Sequence, residues 1–151
     1  MPARTGLFGK LPAHGDFVHR SLPRSFVGPW DAWLSAGLLA APNARWGPWR
    51  FHLAAGACGP DAAAGVLAPS VDAVGRRFPL TLAALDVNQP PDDPWYDALE
   101  ALAGQDLDAD AMASALPDAT PAAASIERGH FWTTGGRKAR MEAGFAALLA
   151  P

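Results

Sequence analysis

A single cysteine, Cys58, occurs in the whole chain, so no disulfide can form within it and metal sites built on several thiolates are excluded. That scarcity fits a reducing compartment. Long hydrophobic runs are missing as well. No stretch approaches the roughly 20 apolar residues of a membrane span, and the opening MPARTGLFGKLPAHGD lacks the apolar centre of a secretory signal. The chain is therefore expected to be cytoplasmic, without direct membrane insertion. Positive charge is not in excess: 12 Lys and Arg stand against 15 Asp and Glu, a formal net charge of −3, which argues against general nucleic-acid binding. Gly-x-Gly-x-x-Gly, a Walker-type phosphate loop and a Gly-x-Ser-x-Gly elbow are all absent, and no cofactor is expected.

What is present is the composition of a folded domain. Half of the 151 residues are hydrophobic and 18% are charged, enough for one domain with its own core. Thr5 to Leu11 reads as a first strand stopped by Pro12, after which Phe17 and Val18 return the chain to the core. Pro23 opens a helix whose apolar face is Phe26, Trp30, Trp33, Leu34 and Leu38, with a late start or kink expected at Gly28-Pro29. Trp49, Phe51 and Leu53 alternate with Arg50 and His52, the period of a half-buried strand. Ala63 to Leu67 and Phe78 to Leu85 are short apolar runs suited to central strands. Trp95 to Ala103 and Ala109 to Leu116 carry helical patterns, residues 126–134 suit a further strand, and Met141, Phe145, Leu148 and Leu149 suit a last helix. Helices on both faces of a sheet would bury these stripes best. The helix-free run from Trp49 to Leu85 implies antiparallel neighbours, since parallel strands need crossovers.

Polar chemistry gathers in two stretches rich in glycine and proline, GLFGKLPAHGDFVHRSLP from Gly6 and GVLAPSVDAVGRRFPLTL from Gly65. The first holds Lys10, His14, Asp16, His19 and Arg20. An imidazole and a carboxylate two residues apart could act as base and orienter, or bind a metal with His19. The plainer reading, which we favour, has Asp16 bonding amides of its own turn. The second holds Ser70, Asp72, Arg76 and Arg77. Serine catalysis there would need His14 as base, and hence the two loops to meet. An ion pair of Asp72 with Arg76 or Arg77, or an anion receptor, suits the residues better. Most of the six tryptophans belong to the core, while Trp46 and Trp49, flanking Gly47-Pro48, are expected to be partly exposed, with Trp49 a possible partner anchor. Thr133 to Lys138 reads as a hydroxyl-capped turn from strand to helix.

These segments, with FVGPWDAWL from Phe26, PWRFHLAAGACGP from Pro48 and HFWTTGG from His130, resemble the TagF family, also called ImpM, of type VI secretion system-associated proteins. Together they span most of the chain, and their ordered series is far more specific than any one motif. The resemblance implies a single TagF-like domain over residues 1–151 with an α/β fold, a three-layer α/β/α sandwich around a mixed, largely antiparallel sheet. It also implies a cytoplasmic repressor that blocks assembly of the secretion apparatus after translation, acting through a forkhead-associated domain scaffold protein. The partner-binding residues expected on this basis are Lys10, His14, Asp16, Arg20, Trp49, Ser70, Asp72, Arg76 and Arg77. The alternative is a small hydrolase or ligand-sensing domain using His14, Asp16 and Ser70.

Overall fold

The computed structural model describes residues 4–119 and 130–151. In chain order the elements are β1 (Arg4–Gly9), β2 (Val18–Arg20), α1 (Arg24–Ala40), β3 (Trp49–Leu53), β4 (Ala63–Ala68), β5 (Leu80–Leu85), α2 (Asp93–Ala103), α3 (Ala109–Ala115), β6 (Phe131–Trp132), β7 (Lys138–Ala139), a 3-10 turn over Met141–Ala143, and α4 (Phe145–Leu149). The part of the expected late strand at residues 126–129 lies outside the described residues.

All seven strands join one sheet, in the order β2-β1-β5-β4-β3-β6-β7. Every described pairing is antiparallel. The expectation of a three-layer sandwich around a mixed sheet is thereby corrected to a mixed α/β domain on an antiparallel sheet with partial helical cover. No helix separates β3, β4 and β5, so their connections can only return the chain alongside itself. Of the helices, α1 has seventeen residues, whereas α3 has seven and α4 five.

Strand alternation divides the core. Phe8, Phe51, Ala63, Leu67, Ala83, Leu85 and Phe131 face α1 and α4, meeting Phe26, Trp30, Leu34, Phe145 and Leu148. Leu7, Ala64, Val66, Leu80, Leu82, Ala84 and Trp132 face the other way, meeting Trp95, Tyr96, Leu99 and Leu102 of α2 and Met112 of α3. Polar groups in these layers are satisfied across them: Trp30 Nε1 donates to Thr81 Oγ1 at 2.8 Å, and Tyr96 OH donates to the Phe51 carbonyl at 2.8 Å.

Pro29 neither delays nor divides α1. A proline at this position removes one bond, the one its N–H would give to the Ser25 carbonyl. Gly28 lacks the Cβ that normally clashes with the following proline ring, so helical backbone is tolerated before it. Near its other end α1 approaches α4 so closely that a Cβ on Gly37 would lie 2.5 Å from Phe145 Cβ. The anticipated last helix is divided: Met141 belongs to the 3-10 turn, and Gly144 separates it from α4. The turn after β6 leads into β7 rather than a helix. Thr133 nonetheless caps it, its Oγ1 accepting the Arg137 amide at 3.1 Å.

Candidate functional site

The loop after β1 and the loop between β4 and β5 leave the same end of the sheet because β1 and β5 are paired neighbours, with Gly9 opposite Leu80. Sixty residues apart in sequence, they are stitched together. Ser70 Oγ donates to the Lys10 carbonyl at 2.7 Å, the Ala73 amide donates to the His14 carbonyl at 2.7 Å, and an Arg76 terminal nitrogen donates to the Gly15 carbonyl at 2.7 Å.

Asp72 is the hub of this junction. Its carboxylate is buried, with Oδ1 accepting the amides of Val74 and Arg76 at 3.0 Å each. Oδ2 meets Arg76 Nε at 2.8 Å and Lys10 Nζ at 3.1 Å. Desolvation alone would raise the pKa of this carboxyl. The Arg76 amide, the Lys10 ammonium, the Val74 amide and the Arg76 charge outweigh it and bring the pKa down to about 2. Lys10 is itself buried and lies 5.0 Å above the Phe17 ring. Phe17 stacks on Phe8, meets Phe78 edge-on and remains 48% exposed, so its expected return to the core is only partial, while Val18 is buried.

The other residues singled out in the first stretch bond either their own turn or α3. Asp16 Oδ1 accepts the Phe17 amide at 2.8 Å, the local turn bond expected of an aspartate there. His14 Nε2 accepts the Ala109 amide at 3.0 Å, the first turn of α3. His19 Nε2 bonds the Leu22 carbonyl. Arg20 Nε pairs with Asp110 at 2.8 Å, and this hydrogen bond and its charge hold the Asp110 pKa below its ordinary value. His14, Asp16 and Ser70 thus each bond a different backbone group, and among the described residues no bond joins any two of them. Among the described residues, no cluster of His, Cys, Asp or Glu is placed to hold a metal.

Trp49 is not an exposed anchor. It is buried against α1 and α4, because position 49 shares the strand face of Phe51 and Leu53, and Arg137 covers its ring at 5.1 Å. Trp46 is the half-exposed member of the pair. Arg77 projects from the second loop into solvent, with no side-chain partner among the described residues.

Three features escape a reading of the sequence. Val74, at the tip of the second loop, is 71% exposed, an apolar side chain amid polar neighbours that pattern alone does not flag. A groove of about 750 Å³ opens beside the second loop, lined by residues of the segment after α1, by Ser70, Val71 and Arg77, and by the end of α2. Arg50, which alternation places as a polar strand residue, is buried beneath α2 and bonded to Glu100 at 3.0 Å and Asp97 at 2.6 Å. Burial opposes its charge, but these two acceptors outweigh it and raise its pKa.

The fold and this junction define a mixed α/β domain whose polar motif residues clamp two loops at one end of an antiparallel sheet. The chain belongs to the TagF family: the TagF N-terminal domain, described as type VI secretion system-associated, matches residues 6–122. It is thus a type VI secretion system-associated protein. A solved structure, PA0076 from Pseudomonas aeruginosa PAO1, is similar to it with a TM-score of 0.67 and 35% identity, over 76% of this chain and 64% of that one. The chain therefore spans less than two thirds of that protein's length. No curated protein matches the chain in sequence. Among the described residues, no helix is long and apolar enough to cross a membrane.

Proposed function

We propose that this protein is a non-enzymatic, cytoplasmic repressor that blocks assembly of the type VI secretion apparatus after translation by binding a forkhead-associated domain scaffold protein through the two clamped loops. The observation that carries this reading is how the loop polar groups are spent. Lys10, His14, Ser70, Asp72 and Arg76 bond one another, loop carbonyls or a neighbouring helix, so they build a rigid shape rather than a reactive centre. Their role in binding is to hold the contact surface. The contact itself would fall on the exposed Phe17 and Val74 and on the charged Asp16, Arg20, Arg76 and Arg77 of the same two stretches.

The test is a titration of the purified scaffold protein against wild type, Phe17→Asp and Val74→Asp by calorimetry, with circular dichroism to confirm folding. Hot-spot residues at the centre of a contact are each worth about 2 kcal/mol or more, so at least one variant should weaken binding by tenfold or more. Wild type that fails to bind, or two folded variants that bind unchanged, would overturn the reading.

A further inference from the structure

The groove beside the second loop has its own chemistry. Its apolar lining includes Leu11, Leu38, Trp46 and Phe78. Four prolines, at 12, 42, 69 and 79, stiffen the segments that frame it, so little conformational freedom would be lost on filling it. Arg45 and Arg77 reach its wall, both exposed and neither with a side-chain partner among the described residues. Asp106 is the acidic side chain on the lining, so the groove carries a local charge of +1, two arginines less one aspartate, within a chain whose formal charge is −3. The buried cations Lys10 and Arg50 are tied to carboxylates, whereas the exposed Arg45 and Arg77 have no carboxylate partner among the described residues.

We propose that this groove binds an extended acidic segment of a partner protein, a Glu- or Asp-bearing stretch whose carboxylates pair with Arg77 and Arg45 while a neighbouring apolar side chain fills the space beside Trp46. Guanidinium groups match carboxylates through two parallel hydrogen bonds, and such pairs gain when one partner lies against an apolar wall. The groove adjoins the loop surface and shares Arg77 with it, while Arg45 and Trp46 belong to the groove alone; the proposal holds whether or not the loops bind a forkhead-associated protein.

The experiment is panning of a phage-displayed random dodecapeptide library on the intact wild-type protein. Enriched sequences are then synthesised and titrated by fluorescence anisotropy against wild type and the Arg45→Glu/Arg77→Glu double variant. Both side chains are exposed and have no partner among the described residues, so the variant should keep the wild-type circular dichroism spectrum and melting temperature. Enriched peptides should carry acidic residues beside apolar ones and bind the variant at least tenfold more weakly. A single-stranded oligonucleotide of matched charge should not compete. No enrichment, enrichment of neutral or basic sequences, equal binding to the variant, or competition by the oligonucleotide would each overturn the proposal.

Discussion

Replacing Gly37 by alanine sets two effects against each other, and their sizes decide the sign. Position 37 lies inside α1, where helix propensity alone favours alanine by about 1 kcal/mol. The added Cβ, however, would stand 2.5 Å from Phe145 Cβ and 2.8 Å from Ala146 N. The second contact is with backbone, which cannot swing aside as a side chain can, so α4 has to move. Overpacking relieved by such a shift costs about 1–3 kcal/mol. Complete undocking would expose Phe145, Leu148 and Leu149 at about 1.5–3 kcal/mol each, so the shift is the cheaper response. Subtracting the propensity gain leaves a net loss of about 0–2 kcal/mol, or up to about 8 °C in Tm for a chain of this size. Urea unfolding followed by circular dichroism measures the loss, and hydrogen exchange should accelerate at residues 145–149 before it does in β4 and β5. A variant about 1 kcal/mol more stable than wild type would show that propensity governs and that α1 and α4 do not approach this closely in solution.

Two further perturbations probe the buried charges. The folded-state pKa of Asp72, about 2, lies below the ordinary 3.8, so its stabilising contribution is full above roughly pH 4 and disappears as pH falls toward 2. Stability of wild type measured from pH 6 to pH 2 should therefore fall more steeply than that of Asp72→Asn, and matching slopes would contradict the clamp. Arg50→Met keeps much of the volume beneath α2 but removes charged hydrogen bonds to Glu100 and Asp97, at a cost of about 1.5–3 kcal/mol in urea unfolding. A change within about 0.5 kcal/mol, as for an ordinary surface substitution, would place Arg50 outside the packing of α2 on the sheet.

Strands bounded by their own chemistry could be read directly. Trp49–Leu53 matches its expected bounds, and Ala63–Ala68 and Leu80–Leu85 lie within two residues of theirs, because Gly47-Pro48, Pro69 and Pro79 punctuate the run. The helix over Asp93–Ala103 was legible from its apolar spacing but starts two residues before the expected Trp95, because Asp92 caps it by accepting the Trp95 amide and Pro94 fits the first turn. The three-residue β2 and two-residue β7 offer no period to detect and exist through the partners they pair with. Trp49 was misplaced because a turn next to an aromatic residue suggests exposure, whereas strand parity fixes the side on which the ring lies. The junction of the two loops was beyond any local pattern. It depends on β1 pairing with β5, a contact across more than seventy residues, although Lys10, Asp72 and Arg76 were all recognisable as polar residues in shaped loops. The groove at its side was equally hidden, since its walls come from four separate segments.

The junction at Asp72 also ties loop shape to folding order. Lys10 follows β1 and Asp72 lies in the connection between β4 and β5, so their salt bridge cannot close until a strand near the N-terminus has docked beside one formed much later in the chain. Closing so long a loop costs entropy that only the finished pairing of β1 with β5 offsets. The loop surface is in this sense a certificate of completion. A nascent or partly unfolded copy displays the same amino acids but not the same shape, so a partner that reads the shape discriminates finished molecules from unfinished ones without further machinery.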